Sequence, residues 1–359
     1  MSDRRKEAEE KMTKAIFISA DCWLCVFDLL PASQLGLGIA LISHRFDIYV
    51  DEHFKTRKRT LAFIRILRRK IGENGTKKME ITNYDRKPLP IPKKPLPKKV
   101  VGFKYISINF IDQNAMAFLH HFRPLFASFP ISLLIRTKSD RILALILRNI
   151  WPMIAKNIYA LDLCAKTLRR SQKFVPSILN DFPSLHVVSS YFDEFFAEFP
   201  CDDSAMASNG QTMAKWLFAP RQDDVPKLFK CVFNGNKLDW PLKIAALKAA
   251  FTNASSRANF IVAICFLSSA FADSVVPFDL TNEFTREQLA LKRTQYDNEF
   301  LLIRCPIVRN ASKWIKWEEE AIFWEFFNQR NRIYIEFNDE DDIGDGLLDT
   351  IPGPSDQQK

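Results

Sequence analysis

Beyond residue 100 the chain alternates strand-like and helix-like segments at a nearly fixed period, and this constrains the fold more than any other feature. Strand patterns at Tyr105–Ile111, Ile131–Arg136, Tyr159–Leu163 and Leu185–Ser189 begin 26, 28 and 26 residues apart. Helix-like stretches lie between them, near Asn114–Ser128, Asp140–Lys156 and Leu168–Asn180. An apolar core of one spacing recurs as Phe103-x-x-Ile106-x-Ile108, Ile158-x-x-Leu161-x-Leu163, Phe182-x-x-Leu185-x-Val187 and Leu228-x-x-Cys231-x-Phe233. A unit this short cannot bury its own apolar side, so successive units must stack on one another.

The class this predicts is α+β, with a degenerate leucine-rich-repeat-like α/β region over residues 101–270. It is degenerate because Phe129, Ile131, Leu133 and Ile135 simply alternate, and the asparagine that follows the strand of a regular repeat is missing. The pattern then changes. Alternating runs at Phe260–Phe266, Val276–Leu280, Gln288–Arg293 and Phe300–Cys305 predict short antiparallel strands, so residues 271–345 read as a β-rich part with one helix. Ser312 is the expected cap of that helix, which carries Trp314, Trp317, Ala321 and Trp324 on one face, a stripe that reads as buried core. A final strand, Arg332–Phe337, precedes an acidic tail, 346–359, expected to be disordered.

The N-terminal part is organised differently. Residues 1–18 are a charged lead-in, and 19–60 form a compact helical motif. Asp21 is placed to cap a helix whose Trp23, Val26, Phe27 and Leu30 share one face, and Pro31 ends it. Ser33 starts a second helix with Leu35, Ile39 and Ile42, weakened at Gly36 and Gly38 by about 1 kcal/mol each. Ser43 starts a third, with Phe46, Val50 and Phe54 four residues apart. Three short helices make a poor core, so some of this apolar surface must face the rest of the chain or a partner. Residues 61–100 read as a basic, Pro-rich linker: from Arg86 to Lys99 a proline every second or third residue forbids helix and favours an extended path.

The formal charge of +9 raises the question of nucleic acid. Lys55, Arg57, Lys58, Arg59, Arg65, Arg68, Arg69 and Lys70 form a cluster without an intervening acid. As phosphate contacts they define the alternative function, a nucleic-acid-binding or scaffold protein; as a solvated helix face they need no ligand. The seven cysteines are odd in number and scattered, which points to reduced, buried thiols and a cytoplasmic or nuclear chain. The apolar run Ala15–Leu30 is too short to span a bilayer and is interrupted by Asp21 and Asp28, so neither a membrane span nor a secretion signal is expected. No catalytic constellation, metal site or cofactor loop emerges. Cys22 and Cys25 lack a second ligand pair at zinc spacing, and the calcium-like run from Asp339 has Ile343 and Thr350 at two ligand positions.

The block from Asp21 to Leu35, with Leu30-Pro31, and the segment Ile39–Asp47, with Arg45-Phe46, resemble an F-box. The family's opening Leu-Pro pair is replaced by Ala20-Asp21 and its usual Trp by Phe46. Further segments, His53–Lys58, Leu302–Val308 and Ile343–Leu348, are similar to a lineage-expanded set of nematode F-box proteins along nearly the whole chain. The resemblance implies a non-catalytic subunit of a cullin-based (SCF-type) ubiquitin ligase, with the F-box gripping a Skp-type adaptor and the C-terminal domain holding a protein substrate. By matching positions it implies Leu30, Pro31, Leu35, Leu41, Ile42 and Phe46 as the adaptor-facing set, with Trp23 and Phe27 beside them.

Overall fold

Side-chain alternation along the strands settles which residues enter the interior of this protein. The computed structural model describes residues 18–344 and 347, apart from 31–33, 36–37, 57–58, 72–75, 84, 90–99, 138, 164–177, 180–181, 191–195, 205 and 234–238. Pro31, all of the lead-in except Ile18, most of the Pro-rich run, most of the helix expected at Leu168–Asn180 and nearly all of the acidic tail therefore lie outside the described residues.

Helix α1 spans Ala20–Asp28 and α2 spans His44–Thr56, with a 3-10 turn at Ile39–Leu41 between them. Ser19, not Asp21, caps α1: its hydroxyl accepts the Cys22 backbone N–H at 3.3 Å. Ser43 caps α2 as expected, accepting from the Phe46 N–H at 3.3 Å.

The thirteen strands among the described residues join one sheet. In chain order they are β1 (Arg59–Ile71), β2 (Thr76–Thr82), β3 (Pro88–Leu89), β4 (Val100–Ile108), β5 (Ile131–Thr137), β6 (Ile158–Leu163), β7 (Val187–Ser190), β8 (Lys227–Phe233), β9 (Phe260–Phe266), β10 (Phe278–Asn282), β11 (Glu287–Arg293), β12 (Glu299–Pro306) and β13 (Arg332–Phe337). Their spatial order is β10-β11-β12-β9-β8-β7-β6-β5-β13-β4-β1-β2-β3. From β9 across to β1 every neighbouring pair is parallel. The run β5 to β9 is consecutive in sequence. Strand β13 breaks it by inserting between β4 and β5, with Ile333 opposite both Ile106 and Leu133. The C-terminal part is thus not a separate antiparallel unit: β10–β12 are antiparallel, but β13 is parallel and central.

The linker expected over 61–100 is also corrected. Strand β1 pairs in parallel with β4 and antiparallel with β2, so this basic segment belongs to the sheet. Leu61, Ile64 and Ile66 are fully buried, while Arg65 between them points to the other face. Only residues 57 and 58 separate α2 from β1, and the Pro-rich run connects two strands of the same sheet.

One face of the sheet is covered by α3 (Gln113–His121), α4 (Arg123–Ser128), α5 (Asp140–Asn149), α6 (Trp151–Ile154), α7 (Asn209–Phe218), α8 (Asp239–Thr252) and α9 (Ser269–Ala272). Their apolar residues form one continuous core with Phe103, Ile106, Leu133, Leu161 and Phe229. Helix α10 (Ala311–Phe323) packs on the opposite face over β8 and β9, burying Trp314, Ala321 and the following Trp324 against Leu228, Ile261 and Leu301. The tryptophan stripe is core, as expected. Its cap is Asn310 rather than Ser312, since the Asn310 side chain accepts the Lys313 N–H at 3.1 Å. The expectation of buried thiols holds for Cys231 and Cys305 but not for Cys22, Cys25 and Cys201, which are exposed. Among the described residues no helix is long and apolar enough to cross a membrane.

Leu161 sits in the main core at 2% exposure. Its truncation to Ala should destabilise the fold by about 2–5 kcal/mol; an unchanged denaturation midpoint would mean that this strand's inward register is wrong.

Candidate functional site

Helices α1 and α2 hold together through an aromatic nest. Trp23 meets Phe46 edge-on at 4.8 Å, Phe27 lies 6.4 Å from Phe46, and the buried His53 ring stands edge-on to Phe27 at 5.9 Å. His53 Nε2 is 3.9 Å from the Asp28 carboxylate, tying the end of α1 to α2. Phe27, Leu35, Ala40 and Val50 belong to the same continuous core as the sheet. The unit is therefore fused to the body and not held apart from it.

This packing re-sorts the residues expected at an adaptor interface. Phe27 and Leu35 are fully buried, so they are corrected from interface to core: each points inward among its own chain's side chains. Trp23, Leu30, Leu41 and Phe46 are half-buried, and Trp23, Leu30 and Phe46 pack against the core. Ile42 is exposed at 64%. Pro31 lies outside the described residues. Sequence reasoning missed Leu29, exposed at 84%, and Ile48, and it placed Val26 on the inner stripe although it is exposed. The signal was available for α1: Val26 and Leu29 are three apart, on a strip displaced from the one that carries Trp23 and Phe27.

Exposed apolar residues are concentrated here. Of the sixteen large ones among the described residues, Val26, Leu29, Ile42 and Ile48 fall within this unit and Ile18 directly precedes it, and the next in the chain is Met206. Scattered single examples are ordinary on any protein surface, whereas a local concentration marks an interaction surface.

The second distinctive feature lies on the sheet face that carries α10, a row in which Ser107, Leu134, Asp162 and Ser189 are buried. Beyond that helix, alternate side chains across β1, β4, β13, β5, β6, β7 and β8 form a lateral row in register: Arg65, Ser107, Tyr334, Leu134, Asp162, Ser189 and Lys230. Lys230 closes the row at α10, its ammonium donating to the Ile322 carbonyl at 2.6 Å. Burial pushes the Asp162 carboxyl up to about 6, against the opposing effects of the Ser189 hydroxyl, which donates to it at 3.4 Å, and of the Arg136 charge. An acid whose pKa rises on folding stabilises the fold while protonated. Relative to Asp162→Asn, the wild-type chain should therefore lose stability as pH rises from about 4 to about 6, with no further divergence above that window. Denaturation curves of the two proteins that run parallel across this range would contradict the assignment.

Of the basic cluster, Lys55 lies at the end of α2, Arg57 and Lys58 lie outside the described residues, and Arg59, Arg65, Arg68, Arg69 and Lys70 lie on β1 rather than on a helix, with two of these arginines engaged. Arg69 pairs with Glu80 at 2.9 Å, and Arg68 donates to the Asp341 carbonyl at 2.9 Å with that residue's carboxylate 3.5 Å away. Among the described residues no group of three or more His, Cys, Asp or Glu is placed to hold a metal ion. Comparison with protein-family models, with curated proteins and with solved structures gave no match.

Proposed function

We propose that this chain is the substrate-recognition subunit of an SCF-type ubiquitin ligase, acting in the cytoplasm or nucleus. It docks a Skp-type adaptor, and through it a cullin, by residues 19–56, and offers the sheet domain to a protein substrate. The concentration of exposed apolar side chains at Val26, Leu29, Ile42 and Ile48 carries the reading. A docking interface of about 800 Å² per partner covers such a set. The F-box resemblance of the same stretch names the partner. In this reading Phe27 and Leu35 support the docking face from inside, and Trp23 and Phe46 form its aromatic floor. The short connection from Thr56 to Arg59 supports the same role, because a receptor that presents a substrate to a ligase needs docking element and capture domain in fixed relation. The engagement of Arg68 and Arg69 in ion pairs makes a nucleic-acid role for this segment the weaker alternative.

The test is reconstitution. The purified full-length chain mixed with a Skp-type adaptor at micromolar concentration should co-elute with it on size exclusion, and the pair should then bind the N-terminal region of a cullin. A well-folded chain that elutes alone rules the proposal out.

A further inference from the structure

On β1, β4, β13 and β5, away from the helix layer, the sheet face carries a linked set of rings and cations. Phe63 lies 5.7 Å from Tyr105, and Tyr105 stacks on Tyr334 at 6.4 Å with planes 23° apart. The Arg332 guanidinium sits 5.2 Å over the Tyr105 ring and that of Arg136 5.7 Å over Tyr334. Strand β13 has a strand on either side, so Arg332 projects from the middle of the sheet. It is 5% exposed, and its Nε has no hydrogen-bond acceptor. Among the described residues no carboxylate forms an ion pair with it.

A buried cation without a counter-ion is disfavoured in any fold, and contact with a ring face offsets only part of its lost hydration. Every other buried cationic side chain among the described residues is satisfied internally: Arg304 by Glu287, and Lys227 by the Trp216 and Ala219 carbonyls at the end of α7. Arg332 is the exception, and it lies where the face is otherwise cationic. Arg65, Arg136 and Lys104 share this part of the sheet, against the acids Glu336 and Asp162.

We infer that this face binds an oxyanion, a carboxylate or a phosphate, carried by a protein segment, with Arg332 as the recognising cation and Arg136 as its more exposed companion. Guanidinium forks match both oxyanions with paired hydrogen bonds. The ring geometry favours a peptide over single-stranded nucleic acid. Base stacking needs open ring faces, and here Tyr105 and Tyr334 stack on each other and carry an arginine each. The inference rests on the substrate-receptor reading only for the fate of the bound segment; its test does not involve the adaptor, so the two fail separately.

The experiment uses the full chain and fluorescence anisotropy with degenerate peptide pools centred on phosphothreonine, on paired glutamates or on unmodified threonine, together with a single-stranded RNA pool. One anionic peptide pool should bind at least tenfold more tightly than the neutral one, and which of the two it is identifies the source of the oxyanion. Arg332→Met should weaken that binding at least tenfold while leaving the melting temperature unchanged or higher, since the charge it removes has no internal partner. If Arg332→Met does not fold, Arg136→Met, altered at an exposed position, decides by the same tenfold criterion. Equal binding of the neutral pool, preference for RNA, or unchanged binding by the deciding variant would overturn the inference.

Discussion

Glu287→Ala should destabilise this protein by about 3–5 kcal/mol, because it strands a guanidinium in the interior. Glu287 and Arg304 face each other from β11 and β12 at 0% and 1% exposure, with Nη2 to Oε2 at 2.6 Å. Both partners make further contacts. Glu287 Oε1 accepts the Ala258 N–H at 2.9 Å, Arg304 Nη2 also donates to the Ser256 carbonyl at 2.7 Å, and the guanidinium lies 4.8 Å from the Phe218 ring and 5.3 Å from Phe251. Removing one partner leaves the other desolvated. Removing both, as Glu287→Leu with Arg304→Met, should recover most of the loss, because an apolar pair of similar volume pays no desolvation. Urea denaturation of the wild type, the single variant and the double variant measures this; a single variant within about 1 kcal/mol of wild type would show that water reaches the site. Arg332 behaves oppositely. It has no carboxylate to strand, so its replacement should not cost stability.

The sequence and the structure agree where periodicity is strong and local. Strands β9 and β13 occupy the expected residues, because Phe260–Phe266 is an unbroken apolar run and Arg332–Phe337 alternates. Helix α10 was legible from its tryptophan spacing. Where a strand shows a charged side chain to one face, the signal is diluted: Arg65, Arg68, Arg69 and Lys70 masked the inward set Leu61, Ile64 and Ile66, and β1 read as a linker. The place of β13 between β4 and β5 was not legible at all, since pairing partners more than a hundred residues away leave no local pattern. The candidate sites divide in the same way. Helical phase put Trp23 and Phe27 on one face of α1 and Phe46 on a stripe of α2, but their meeting in one nest, and which residues turn inward, depend on how the two helices and the body of the protein pack. The oxyanion site was invisible because Tyr105, Arg136 and Arg332 come together only through the sheet order.

Leu29 and Ile42 decide the docking proposal. Both are exposed apolar side chains, at 84% and 64%, on the N-terminal unit, so replacing each by Asp leaves the interior intact. At a desolvated interface a new carboxylate loses its hydration without gaining a partner, and a central position of this kind is worth about 2 kcal/mol or more, roughly thirtyfold in affinity. Calorimetric titration of a Skp-type adaptor into the full-length chain, wild type against Leu29→Asp with Ile42→Asp, is the direct measurement, with circular dichroism to show that both proteins are folded. The wild type should bind at micromolar affinity or tighter and the variant at least thirtyfold more weakly, with unchanged spectra. No binding by the folded wild type would contradict it outright, and equal affinity of the two proteins would place the adaptor away from this surface.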